Sequence, residues 1–228
     1  SMRIIRMQIP MSFTLEYLEN QILTLVNQQN IQDSARVRLT VFRNEGGFYS
    51  PTDNSVSFVI QANRLSGKLY VVGKEVFEVD LYKDFVVSKQ LLSTLKTNNK
   101  IIQITASIFA QENQLDSCLL INEDKNVIEA TNGNLFMLLN NQLISPPISE
   151  GCLNGIMRKQ ILKLAKEQEG IEVVEKEISP FDLQKADELF ITNVISGIQP
   201  ITQYRKKEFE SVLAKVLLEK LNEAVNLF

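Results

Sequence analysis

The stretch Val127-Ile128-Glu129-Ala130-Thr131-Asn132-Gly133-Asn134-Leu135-Phe136 sets a single carboxylate among apolar residues. An apolar run of this length reads as strand from Val127 to Phe136. Upstream, Ser117–Ile121 is a second strand, joined to it across an Asp124-Lys125-Asn126 turn. Downstream, Leu135–Leu139 and Gln142–Ile144 flank Asn140-Asn141, a pair suited to a tight turn because Asn tolerates positive φ. On its own, Glu129 is a carboxylate near a strand end facing water.

The pattern continues in both directions. Residues 12–29 have helical periodicity, with Phe13, Leu15, Leu18, Ile22, Leu25 and Val26 on one side. Arg36–Phe42 alternates as a half-buried strand, Arg43-Asn44-Glu45-Gly46-Gly47 breaks it, and Ser55–Ile60 resumes it. Residues 61–75 read as a connection, which predicts two domains, 1–66 and 67–228. In the second, Val76–Val87 gives one or two strands and Ile101–Gln111 a helix. Asn154–Lys166 is a helix and Ile171–Val174 a strand. Ser179-Pro180-Phe181-Asp182 has the capping Ser, early Pro and following acid of a helix start. Glu188–Thr192 is a strand. Lys207–Asn226 is a helix with Phe209, Val212, Leu213, Val216, Leu217, Leu221, Ala224 and Val225 on one face. Mixed strands and helices without strict alternation predict an α+β fold in two parts.

Composition narrows the chemistry. The chain has 228 residues, 44% hydrophobic and 22% charged, with a net charge of −3, and no basic stripe to bind nucleic acid. No apolar run reaches the roughly 18 residues of a membrane span. Histidine is absent, which rules out Ser-His-Asp, Cys-His and His-ligated zinc sites. Acid–base work falls to Lys, Asp, Glu, Tyr or a cofactor, and no metal site is expected. Cys118 and Cys152 form no redox or metal pattern and read as free thiols of a cytoplasmic protein.

Four segments stand out by their order. Lys96-Thr97-Asn98-Asn99 follows a short loop. Val127–Phe136 carries Glu129. Leu153-Asn154-Gly155-Ile156-Met157-Arg158 opens a helix. Ala186-Asp187-Glu188-Leu189-Phe190-Ile191-Thr192-Asn193 ends a strand. Singly, Lys96 is a solvated lysine, the Gly155 segment an ordinary junction, and Arg158 the partner of a salt bridge that fixes its helix. Together they resemble the class IV aminotransferases, from about Phe13 to the C-terminus and most strongly from Lys96 to Pro200.

The resemblance implies a fold type IV, D-amino-acid aminotransferase-like enzyme with pyridoxal 5'-phosphate (PLP) between its two domains. Lys96 then holds PLP covalently and serves as the catalytic base, and Glu129 keeps the ring nitrogen protonated. Gly155, Ile156 and Met157 offer a helix N-terminus to the phosphate, and Asn193 and Val194 form its second contact. The implied activity is amino transfer between an amino acid and a keto acid, of branched-chain or D-amino-acid type, in a homodimer. A second reading is aminodeoxychorismate lyase, which releases pyruvate and p-aminobenzoate. Leu-Asn-Gly-Ile-Met-Arg and Asn193 look closer to that enzyme. A third is a non-catalytic relative, against which an intact Lys96 and Glu129 argue.

The chain departs from the family in two places. Arg43-Asn44-Glu45-Gly46-Gly47 runs into Phe48-Tyr49-Ser50 without the second arginine that grips a substrate carboxylate in many relatives. Relatives also begin with several dozen further residues, including an arginine to the phosphate. The sequence is therefore expected to be a piece of a longer chain.

Overall fold

The computed structural model describes residues 1–67 and 69–225. The chain divides into two compact units, Ser1–Lys68 and Leu69–Phe228.

In the first unit, helix α1 (Leu15–Gln28) starts where the Thr14 side chain accepts the Tyr17 N–H at 3.1 Å. Strands β1 (Ser34–Arg43) and β2 (Val56–Leu65) pair antiparallel from Ser34↔Leu65 to Arg43↔Val56. Phe58 of β2 meets the rings of Phe13 and Tyr17 edge-on, at 5.4 and 6.3 Å. Leu18, Ile22, Leu25 and Val26 are half-buried, but Leu15, expected on the same side, is 89% exposed. Residues 61–65, expected in a connection, complete β2.

The second unit is built on a ten-stranded sheet. Its path runs β10 (Gly197–Ile201), β9 (Glu188–Asn193), β6 (Asn134–Leu139), β5 (Val127–Ala130), β4 (Ser117–Asn122), β3 (Glu78–Val87), β11 (Gln203–Tyr204), β12 (Lys207–Glu208). Strand β7 (Gln142–Ser145) branches from β6 and pairs with β8 (Glu172–Glu175). On one face lie α2 (Ile101–Glu112), α3 (Ile156–Lys166) and α5 (Val212–Val225). Helix α2 packs with Tyr82 and Leu120, and α3 and α5 pack with Phe136 and Phe190, whose rings stack at 5.1 Å. The opposite face buries Leu81, Leu119, Leu135 and Ile191 under Ile178 and Leu183. Leu183 ends the one-turn helix α4 (Pro180–Leu183).

Local expectations held where the signal was chemical. Asn140 and Asn141 have φ of 50° and 62°, and Ser179 and Asp182 form a reciprocal capping box. Two were wrong. Val127–Phe136 is not one strand but β5 and β6, joined by Thr131–Gly133, where the Ala130 N–H bonds to the Gly133 carbonyl at 2.8 Å. The expected helix over Lys207–Asn226 begins only at Val212: Lys207 and Glu208 are strand, and Phe209 packs under the other face of the sheet. Its buried side is Leu213, Ala214, Leu217, Leu218 and Leu221, while Val212, Val216 and Val225 are exposed. Asn226 lies outside the described residues.

Candidate active site

The register of the sheet lines up a row of side chains. Tyr82 pairs with Leu120, Leu120 with Glu129, Glu129 with Asn134, Asn134 with Thr192, and Thr192 with Ile198. Residues directly opposite in a ladder point to the same face. The row therefore crosses six strands on the helical face, with a carboxylate, a carboxamide and a hydroxyl at Glu129, Asn134 and Thr192 and the Tyr82 phenol at one end. A bulge aims it. Leu119 faces Ala130 and Leu120 faces Glu129, but Ile121 faces Val127, so Ile128 is an extra residue. Ile128 packs with Leu120 on the α2 side, so Ile128 and Glu129 turn toward the same face.

Glu129 is 5% exposed. It accepts the Leu153 N–H at 2.8 Å and the Gln103 side-chain amide of α2 at 3.3 Å. Burial pushes its carboxyl above the usual range; the Leu153 N–H, Lys100, Gln103 and Lys96 pull it back. Lys100, which precedes α2, is pushed down by burial, against the attraction of Glu129. One carboxylate and two amines thus feel each other's charge.

Asn134 donates to the Leu153 carbonyl at 2.7 Å. A Cβ on Gly155 would stand 2.1 Å from the Asn134 carboxamide oxygen, so only glycine lets α3 start this close to the row. Gly155 occupies the N-cap position, and no side chain caps α3. The amides of Ile156 and Met157 have no acceptor within their helix. Next in the row, the Thr192 hydroxyl is buried without a hydrogen-bond partner.

Thr192 leads into the β9–β10 turn. Asn193 Oδ1 accepts the N–H groups of Ile195 and Ser196, both at 2.9 Å, so its side chain shapes the turn. The Val194 carbonyl accepts the Tyr70 hydroxyl at 3.0 Å, and the Tyr70 ring lies against Gly197, where a Cβ would be 2.7 Å from it. Lys96 follows a 3-10 turn (Leu91–Thr94) and the buried Leu95; it is exposed and makes no ion pair among the described residues.

Glu129 and Gly155 therefore meet at one stretch of the helical face, and Asn193 follows Thr192 into the turn at its end. Ile156 turns its side chain outward, 78% exposed, and Met157 is buried, so any ligand contact from these two comes from the backbone. Arg158 has the structural place expected of it: 2% exposed, it donates to Glu175 at 2.6 Å and to the Pro146 carbonyl at 2.8 Å. Both cysteines are free and buried, with thiols pushed up by burial to about 11 for Cys118 and about 12 for Cys152, so neither is a thiolate nucleophile. Gln103, Lys100 and Thr192 were not among the sequence candidates. Their signal is spacing: Lys100 and Gln103 follow Lys96 by four and seven residues, and Thr192 precedes Asn193.

The chain matches the model of the family "Amino-transferase class IV" over residues 1–204. It is 36% identical over 129 residues to a putative branched-chain-amino-acid aminotransferase of Methanocaldococcus jannaschii, covering 57% of this chain and 44% of that one. It is 26% identical over 172 residues to an aminodeoxychorismate lyase of Vibrio harveyi, covering 75% and 63%. The chain thus spans less than two thirds of either relative. Among solved structures, a branched-chain aminotransferase of Thermoproteus uzoniensis with norvaline superposes with a TM-score of 0.87 at 20% identity, over 98% of this chain and 75% of that one. The fold is that of the type IV aminotransferases, and the chain belongs to the class IV aminotransferase family.

Proposed function

We propose that the protein is a PLP-dependent aminotransferase in which Lys96 carries the cofactor. The observation that supports this most is the row from Glu129 through Asn134 to Thr192, with the uncapped start of α3 beside it. These residues fit PLP chemically. Glu129 is a fixed, buried carboxylate for a ring nitrogen. The Ile156 and Met157 amides and the unpartnered Thr192 hydroxyl are donors for a phosphate, with Asn193 and Val194 on the adjoining turn. Lys96 is an exposed amine with no ion pair among the described residues. Bound there, PLP would supply a carbon electrophilic toward amines and a ring that draws electrons from the substrate Cα.

The chain's own groups do the rest. With PLP bound, Glu129 would face the ring nitrogen and favour its protonated form. The Leu153 N–H and Gln103 keep that carboxylate from turning away. With PLP bound, the Lys96 amine would hold the cofactor and, once free, would take the proton from the substrate Cα, carry it as an ammonium and give it back to the product.

A second reading, aminodeoxychorismate lyase, is supported by the Vibrio harveyi lyase, whose match covers 75% of this chain. We propose a homodimer: Ile101, Ile104 and Ile108 form an exposed apolar stripe on α2, each at least 49% exposed. The free cysteines fit a cytoplasmic setting. No helix among the described residues is long and apolar enough to cross a membrane.

The test is incubation with PLP, borohydride reduction and peptide mapping. A phosphopyridoxyl group on Lys96, lost in Lys96→Ala, is the expected result; labels scattered over other lysines would end the proposal. Keto-acid formation from amino acids against pyruvate release from aminodeoxychorismate then separates the two activities.

A further inference from the structure

Lys96 is exposed, and among the described residues its side chain has no ion pair to hold it. What places it must act on the backbone that leads to it. That segment is fastened twice to residues 148–155, which also reach Glu129 and start α3. At the last residue of the 3-10 turn, the Asn154 N–H donates to the Thr94 carbonyl at 3.0 Å. Upstream, Lys89 Nζ meets Glu150 Oε1 at 2.7 Å, and Gly151, at φ +92°, lets its backbone approach Ser88, whose carbonyl a Cβ would meet at 2.8 Å. Three residues after Glu150, the Leu153 N–H binds Glu129.

The Glu150 side of this fastening is interior. Its side chain is 4% exposed, and Oε2 accepts the side-chain amides of Asn122 at 2.7 Å and Asn126 at 2.9 Å. Lys89 also touches Asp124 at 2.6 Å, but that carboxylate is 57% exposed, where an ion pair holds little. The informative contact is Lys89 with Glu150.

We propose that Lys89 and Glu150 are positioning residues. Their ion pair fixes the segment ending in Lys96 against the segment entering α3, and so sets where the Lys96 amine stands relative to Glu129 and the Ile156 and Met157 amides. This rests on the reading that Lys96 carries PLP. Without Lys89, Glu150 keeps two amide donors, so the fold survives and the loss falls on the alignment of the two segments.

The test uses the full chain with PLP as the probe and three readouts: the PLP concentration for half-maximal borohydride-fixed label on Lys96, the pH midpoint of the bound cofactor's absorbance change, and Tm. Lys89→Met should raise the half-maximal concentration about tenfold or more, since small misplacements of reacting groups are costly, and move the pH midpoint. Lys89→Arg should stay near the unsubstituted protein on both. Ser179→Ala, which removes the α4 cap on the other face of the sheet, should lower Tm and leave both cofactor readouts unchanged. Wild-type labelling and pH midpoint in Lys89→Met would overturn the inference, as would an equal shift in Ser179→Ala. An unsubstituted protein that takes no label on Lys96 would overturn the cofactor reading itself, an outcome distinct from both.

Discussion

Glu129 sits at odds with its surroundings: a carboxylate at 5% exposure, raised by burial and only partly compensated. A group raised in the folded state binds protons more tightly there than when unfolded. Its unfavourable contribution begins above the unfolded carboxyl value of about 4.3 and grows until the raised folded value is passed. Glu129→Gln removes that cost and keeps an acceptor for the Leu153 N–H. The cofactor-free variant should therefore melt no lower than the unsubstituted protein at pH 7, with a relative gain that increases from pH 4 upward. Its amino-transfer rate should fall about 100-fold or more. Thermal melts across pH and a transamination assay check both halves. At this scale the sequence drew attention to Glu129 by setting one carboxylate in an apolar run, and the fold buries it. The sequence was silent on Gln103 and Thr192, since an amide and a hydroxyl acquire a role only from what they face.

Among the elements, the β5–β6 turn was misread because apolar content on both sides hid it. The cue was present in Asn132-Gly133, a turn-forming pair. The glycine is there for space: a Cβ at Gly133 would stand 2.8 Å from the Thr192 carbonyl, a backbone atom that cannot swing away. Gly133→Ala should cost about 2 kcal/mol in urea unfolding and disturb the row at Thr192. The start of α5 was misplaced for a different reason. Helical periodicity runs back to Phe209, but the helix begins where the buried Glu188 carboxylate accepts the Leu213 and Ala214 N–H groups, at 2.8 and 3.1 Å. That cap lies 25 residues upstream and no local pattern shows it. Glu188→Ala leaves buried amides unpaired and should destabilise by about 2 kcal/mol, read as a lower urea midpoint with an unchanged m-value. Where the cap is local, as at Ser179, the sequence was enough.

For the whole molecule, the two units differ in how much they bury. All three hydrophobic clusters among the described residues lie within Leu69–Phe228. In the first unit, Ala62 is the one hydrophobic residue below 9% exposure among those described. A helix on a two-stranded ribbon is marginal without more apolar burial. Residues 69–228 expressed alone should unfold cooperatively in denaturant, and residues 1–68 alone should show no cooperative transition by circular dichroism. The α+β class was legible from the mixture of periods. The order of the sheet was not, because β6 lies between β5 and β9, strands separated by more than fifty residues.

The bulge at Ile128 also bears on which heritable changes the protein can absorb. Glu129 faces the helices because β5 carries one residue more than β4 opposite it. A single-residue insertion or deletion between Val127 and Glu129 alters that count and turns the carboxylate toward the other face, even when Glu129 itself is kept. Substitutions at Ile128 or Ala130 leave the count intact. In a library of related chains, length across this corner should vary less than composition, and frameshift-neutral codon losses here should be purged where conservative replacements persist.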